Sequence, residues 1–225
     1  MLRIAHRGAS ANYPENTLRA FKHALEGHPD MMEFDVRITK DGVVVAMHDK
    51  KINRTTDGKG AIKNLTHKEL TKVHTPTGET IPTLKEIFDL LAGKAKINID
   101  LKDKKAVKPT VELIEKYVLS HAYSYNDFLL SAFNITILLE VRRYQSGLPI
   151  AINFIAFPWL FVPLSKLLGA KVIKPHRRIT TKKLVNSAHA QHLLVYVWTV
   201  NKPKDIEKMK NIGVDGIITD YPDSF

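Results

Sequence analysis

Nine short apolar runs, most of them followed by a segment with helical periodicity, constrain this chain of 225 residues more than any other feature of its sequence. They lie around Ile4 and Ala5 and at 32–38, 43–48, 96–102, 128–131, 150–153, 171–174, 194–198 and 216–220. Strand, helix and strand in repetition specify a parallel α/β architecture. Nine runs are one more than a (β/α)8 barrel needs. The surplus falls at Thr39-Lys40-Asp41-Gly42, where Asp-Gly between two runs rich in Val, Ile and Phe signals a hairpin turn. One hairpin arm then runs antiparallel and can lie partly outside the barrel. The expectation is an α/β fold, an irregular (β/α)8 TIM barrel with a hairpin at strands 2–3, a small insertion at about 50–80, and residues 1–225 in one domain.

Helix boundaries carry their own chemistry. Thr66 with Glu69 and Thr83 with Glu86 have capping-box spacing, and Leu84, Ile87, Phe88 and Leu91 give the second helix an apolar stripe. Asn16 or Thr17 caps a helix carrying Leu18, Phe21 and Leu25, which ends at Gly27. The stretch from Asn53 to Gly60 is glycine-rich but lacks the Gly-Lys-Ser/Thr of a P-loop and reads as an ordinary loop.

The hairpin also concentrates function. Alternation along a strand puts Glu33 and Asp35 on one face, and bare carboxylates are not buried without a partner or a metal. If Ile38 pairs with Val43, counting back sets Glu33 opposite His48. In the run 96–102, Asn98, Asp100 and Lys102 project together, an unusual polar face for a central strand. His6, Arg7, His48, Asp100, Lys102, Ser131, Trp198 and Asp220 all fall at or near the C-terminal ends of strands, where barrel active sites are built. Three oxygen donors, Glu33, Asp35 and Asp100, select Mg²⁺ or Ca²⁺, with Mn²⁺ also accommodated, over structural zinc. Arg7 and Lys102 add positive charge beside them, an arrangement suited to a phosphate ester. His6 and His48, on different strands, can then remove a proton from a nucleophile and protonate a leaving alkoxide.

His6-Arg7-Gly8, Pro14-Glu15-Asn16-Thr17, Glu33-Phe34-Asp35-Val36, Thr39-Lys40-Asp41-Gly42, His48-Asp49, Arg54-Thr55-Thr56, Trp198-Thr199-Val200-Asn201 and the run from Gly213 to Asp220 form an ordered series. That series resembles the motifs of the glycerophosphodiester phosphodiesterase family, from residue 4 to residue 222. The resemblance implies an irregular TIM barrel related to that of phosphatidylinositol-specific phospholipase C. It implies His6 and His48 as the acid/base pair, Glu33 and Asp35 as metal ligands, Arg7 as a phosphate contact and Trp198 as a wall of the substrate pocket. It implies cleavage of a glycerophosphodiester to sn-glycerol 3-phosphate and an alcohol. Two positions depart from the family pattern: Asp100 stands two residues before Lys102 where the family usually has Glu, and Ser131-Ala132-Phe133 stands where it often has two serines. Asp is one methylene shorter, so its carboxylate is expected to fall short of a shared metal by about 1.5 Å unless the backbone shifts or a water bridges. The alternatives are a lysophospholipase D-like cleavage of lysolipids and a non-catalytic phosphate- or polyanion-binding protein.

Composition narrows the partners. Lys and Arg exceed Asp and Glu by 34 to 23, a net charge of +11 that attracts phosphates of any kind. No aromatic-interleaved basic patch or nucleic-acid module accompanies it, so nucleic acid is not expected and a small glycerophosphodiester is. The stretch 148–169 is apolar, with Lys166 its single charge, but Pro149, Pro158, Pro163 and Asn153 exclude a transmembrane helix. It reads as core or as a dimer face, or as a lipid-contacting rim through 154–168. No cysteine is present, and the start runs into a strand with no signal-peptide pattern, so a cytoplasmic location is expected.

Overall fold

A computed structural model describes residues 1–223. The strands are β1 (Leu2–His6), β2 (Met31–Ile38), β3 (Val44–Ala46), β4 (Lys96–Leu101), β5 (Phe128–Ala132), β6 (Ile150–Phe154), β7 (Val172–Pro175), β8 (Leu194–Val197) and β9 (Gly216–Thr219). Eight of them, all but β3, are mutually parallel and close into a barrel through the pairings of β1 with both β2 and β9. All nine expected strands are present, and β3 is the extra one. It pairs antiparallel with the last residues of β2, Val36 to Ile38, where that strand rises past the barrel rim.

The helices are α1 (Leu18–Glu26), α2 (His67–Leu70), α3 (Leu84–Leu91), α4 (Val107–Leu119), α5 (Ile135–Tyr144), α6 (Pro158–Leu167), α7 (Lys182–His189) and α8 (Pro203–Ile212). Both expected capping boxes form, at Thr66 with Glu69 and Thr83 with Glu86. Thr17 caps α1 by accepting from Ala20 N, which leaves the Asn16 side chain free for another task. The apolar stretch 148–169 divides into β6 and α6. Pro163 sits inside α6, so the prolines do not prevent a helix there; at ten residues, or about 15 Å, it is far too short to cross a bilayer. No helix among the described residues is long and apolar enough to do so.

Alternation along the strands sorts the core into two layers. Met32, Phe34, Ile97, Ile99, Leu130 and Ile152 face outward against the helices. Ile4, Met31, Leu129, Ala151, Val172, Tyr196 and Ile218 face inward and plug the barrel floor. A third cluster, with Val45 and Met47 packed on Ile52, Ile62, Leu70 and Ile81, fastens the insertion at about 50–80 to the outer face of β3. Above the apolar floor the lumen turns polar, with Glu33, Asn98, Ser131, Asn153 and Lys174 buried on successive strands. These polar positions support the mouth of the barrel.

Candidate active site

The end of β1 is shaped by two consecutive residues in the left-handed region, Arg7 (φ 58°) and Gly8 (φ 85°). A Cβ on Gly8 would lie 2.6 Å from the carbonyl carbon of Ala20, so only glycine lets the turn pass under α1. That turn points the Arg7 side chain back over the barrel. Its Nε reaches Asp35 Oδ2 at 2.9 Å and its Nη1 reaches Glu15 Oε1 at 2.9 Å. His6 Nδ1 is 2.5 Å from Asp220 Oδ1, and its Nε2 faces inward, 4.0 Å from Glu33 Oε2. Asp220 also accepts from Ser10 Oγ and Asn201 Nδ2. Burial alone would raise the Asp220 carboxyl, but the hydrogen bond and charge of His6 outweigh it and hold the group at about 2.

Glu33, Asp35 and Asp100 converge with carboxylate oxygens all within 4.8 Å of one another. Strand register does this directly, because Asp35 pairs with Asp100 across β2 and β4 while Glu33 pairs with His6 across β2 and β1. The three are only 3%, 1% and 4% exposed, respectively. Lys102 Nζ bridges Asp100 Oδ2 at 2.7 Å and Asp35 Oδ1 at 2.9 Å. Asn16, freed from capping, donates its Nδ2 to Asp35 Oδ2 and accepts from Asp35 N. Burial would raise the Asp35 carboxyl, yet Lys102, then Arg7 and His48, drive it well below the usual carboxylate range. Lys102 responds in kind: burial disfavours its charge, and Asp100 and Asp35 more than restore it, so its ammonium is held above its ordinary value.

Two buried carboxylate oxygens, Glu33 Oε2 and Asp100 Oδ1, have no hydrogen-bond partner. Buried polar atoms are nearly always satisfied, so two such oxygens within one triad of carboxylates fit a bound hard cation. Asp100 reaches this cluster despite its missing methylene.

His48 arrives by a route the sequence reading placed wrongly. The hairpin pairs Ile38 with Val44, not Val43, a shift of one residue. Glu33 is flanked by β1 and β4 rather than by the hairpin, so His48 does not lie opposite it on a paired strand. The shift is local: Thr39 N donates to Val43 O and Val43 N donates to Thr39 Oγ1, which closes a five-residue turn, while both edges of β2 at Glu33 are occupied by barrel strands. His48 follows β3 instead and still lines the same cavity. Its Nδ1 is 2.7 Å from Asp49 Oδ1, and Arg54 joins Asp49 (2.7 Å) to Glu15 (2.7 Å). Arg54 lowers Asp49 to about 2.

All eight residues expected at the site, His6, Arg7, Glu33, Asp35, His48, Asp100, Lys102 and Trp198, line one cavity of about 110 Å³. Trp198 donates its indole N–H to Lys174 O and meets Phe133 edge-on at 5.5 Å. Phe133 also lines the cavity, and Lys102 Nζ lies 5.7 Å from its ring centroid. Glu15, Asn16, Asp49, Arg54 and Lys174 had no site role in the sequence pattern, and Asp220 stood there only as a polar residue at the active-site end of its strand. Lys174 is 2% exposed and donates to Asn98 Oδ1 (2.7 Å) and Ser131 Oγ (3.0 Å), with Glu33 Oε1 3.6 Å away. Its signal was a lysine closing an apolar run, in phase with the inward face of β7. The polar arm of Ser131, in the segment that departs from the family pattern, is spent inside the barrel on this lysine.

The description "Glycerophosphoryl diester phosphodiesterase family" belongs to the family model that matches residues 6–224. A glycerophosphodiester phosphodiesterase of Bacillus altitudinis is 36% identical, over 98% of this chain and 94% of its own length. One from Caldanaerobacter subterraneus is 35% identical over the same shares. Among solved structures, an Oleispira antarctica phosphodiesterase in complex with the product sn-glycerol-3-phosphate superposes with a TM-score of 0.91 at 28% identity, covering 98% of this chain and 93% of that one.

Proposed function

The chain belongs to the glycerophosphoryl diester phosphodiesterase family, and on that premise we propose that its cavity performs a metal-dependent hydrolysis of glycerophosphodiesters to sn-glycerol 3-phosphate and an alcohol. The observation that carries this reading is the pair of unpartnered oxygens on Glu33 and Asp100, set in one cavity with two histidines that each have an aspartate on Nδ1.

Glu33, Asp35 and Asp100 hold one divalent cation, Mg²⁺ or Ca²⁺ with Mn²⁺ also accommodated, since all three donors are hard oxygens. When bound, such an ion supplies Lewis-acid stabilisation of charge on the phosphoryl oxygens. Arg7 and Lys102 bring two further positive charges to the same place and orient the phosphate. Asp220 and Asp49 fix the ring protons of His6 and His48 on Nδ1, which leaves each Nε2 to exchange a proton. One imidazole takes the proton of the attacking hydroxyl as its oxygen bonds to phosphorus. That hydroxyl is water, or the glycerol 2-hydroxyl, in which case a water then opens the resulting cyclic phosphate to glycerol 3-phosphate. The other imidazole, protonated, gives its proton to the departing alkoxide as the P–O bond breaks. Trp198 and Phe133 form an apolar wall for the rest of the substrate. Half-exposed Phe133 at the mouth favours, as a second reading, entry of lysolipids as well as soluble diesters. A chain without cysteine also suits the reducing cytoplasm, the location this reading assigns.

The test is enzymatic release of glycerol 3-phosphate from a panel of glycerophosphodiesters and lysolipids, with Mg²⁺, Ca²⁺, Mn²⁺ or a chelator. Release that depends on the metal is expected. Equal rates in chelator would remove the metal from this reading, and no release from any substrate with every metal supplied would remove the reaction.

A further inference from the structure

Residues 141–204 carry eleven Lys and Arg and no Asp or Glu, so the whole formal net charge of +11 resides in this one segment. It spans β6, α6, β7, α7 and β8, neighbouring strands of one side of the barrel. Several of its cations occupy the mouth of that side: Arg178 in the turn leaving β7, Lys183 in the first turn of α7, and Lys202 and Lys204 after β8, all exposed.

The same segment holds an apolar ridge. Four of the twelve exposed large apolar side chains of the described residues, Ile155, Phe157, Trp159 and Leu160, fall within six residues that leave the C-terminal end of β6. Phe157 and Trp159 are 59% and 74% exposed, and their rings meet edge-on at 6.2 Å. Phe157 is also held in the left-handed region, φ 54° and ψ 51°, a costly backbone for a bulky residue. The protein gains little internal packing in return, because the ring is left mostly in water. Lys183 lines the groove beside Trp159, between α6 and α7.

We propose that this ridge and its basic flank dock the enzyme on an anionic lipid bilayer, with Phe157 and Trp159 entering the headgroup boundary and the mouth of the barrel beside the surface. Aromatic and aliphatic side chains next to exposed Lys and Arg are the composition of an interfacial anchor. Charge complementarity selects the occupant: an anionic leaflet attracts the acid-free segment, whereas a second copy presenting the same segment is repelled by it. The inference goes beyond the hydrolysis proposed above and does not require it.

The experiment is co-sedimentation of the full chain with vesicles of phosphatidylcholine alone and of phosphatidylcholine with phosphatidylglycerol. Binding to the anionic vesicles only is expected, with loss in 1 M NaCl, where screening acts beyond about 3 Å. Phe157→Ala with Trp159→Ala should weaken the partition by about tenfold or more, and Arg178→Glu with Lys183→Glu by a comparable factor. Both pairs are exposed, so each variant should keep the wild-type melting temperature, which is measured alongside. No binding to anionic vesicles overturns the proposal. So does binding that the Phe157 and Trp159 variant leaves unchanged, or a homodimer by light scattering that the same variant abolishes while vesicles stay unbound.

Discussion

Asp220 Oδ1 lies 2.5 Å from Nδ1 of His6, joining the end of β9 to the end of β1 across 214 positions of sequence. The bond sets which ring nitrogen of His6 faces the cavity. Asp220→Asn should therefore lower kcat by on the order of 10²–10³-fold with a smaller change in KM, because an amide can impose the wrong tautomer. Steady-state kinetics on a glycerophosphodiester checks this. A kcat within twofold of wild type would show that His6 needs no such orientation.

The same carboxyl makes stability depend on pH. Its value falls from the ordinary 3.8 to about 2 on folding. A depressed carboxyl contributes stability in full above its unfolded value and loses it as pH falls through the folded one, here between about 4 and 2. Asp220 is partly exposed, so the contribution is about 1 kcal/mol after solvent screening. Melting temperatures from pH 5 to pH 2 should show the wild type converging on Asp220→Asn as the pH drops.

Arg54 ties two halves of the site together through Glu15, which holds Arg7, and Asp49, which holds His48. Its side chain is half exposed, so Arg54→Ala should cost less than about 1 kcal/mol of stability. Activity should nevertheless fall about tenfold as Arg7 and His48 lose their alignment. Arg54→Lys should recover only part of that, since an ammonium cannot span both carboxylates in the planar way a guanidinium does. The kcat values of both variants, set beside their melting temperatures, decide it.

Asp100 offers an unpartnered oxygen to the carboxylate cluster. Asp100→Asn should weaken divalent-ion binding by more than the roughly 10–100-fold that loss of an outer partner costs. Asp100→Glu, with its longer reach, should bind with altered preference among Mg²⁺, Ca²⁺ and Mn²⁺. Titration calorimetry with each metal reads both, and identical affinities in all three proteins would place Asp100 outside the ligand set.

Lys174 is the buried cation under the site. Lys174→Met keeps the length but leaves Asn98 Oδ1 without its donor and Glu33 without a neighbouring charge. A loss of about 2–4 kcal/mol is expected, read as a lowered urea midpoint at unchanged slope.

Much of this architecture was legible locally. Capping boxes at Thr66 and Thr83, the turn at Asp41-Gly42 and the period-2 runs depend on residues within a few positions of one another, and each formed where its pattern stood. The polar phase of 96–102 likewise foretold a lumen lined by Asn98 and Asp100. The hairpin register was not legible, because the same turn residues close a loop of four or of five residues and leave Ile38 free to meet Val43 or Val44. The paired hydrogen bonds between Thr39 and Val43, one of them through the Thr39 hydroxyl, removed that freedom.

By itself, the sequence determined the strands, the helices and the identity of the residues at the mouth of the barrel, since short-range periodicity and strand-end chemistry suffice for those. Only the tertiary structure decided how these residues are partnered: Asp220 on His6, Asn16 on Asp35, Lys174 beneath Glu33, and Arg54 between Glu15 and Asp49. Apart from Arg54 on Asp49, five residues away, those contacts join strands and loops well separated in the chain, and closure of the barrel is what sets their distances.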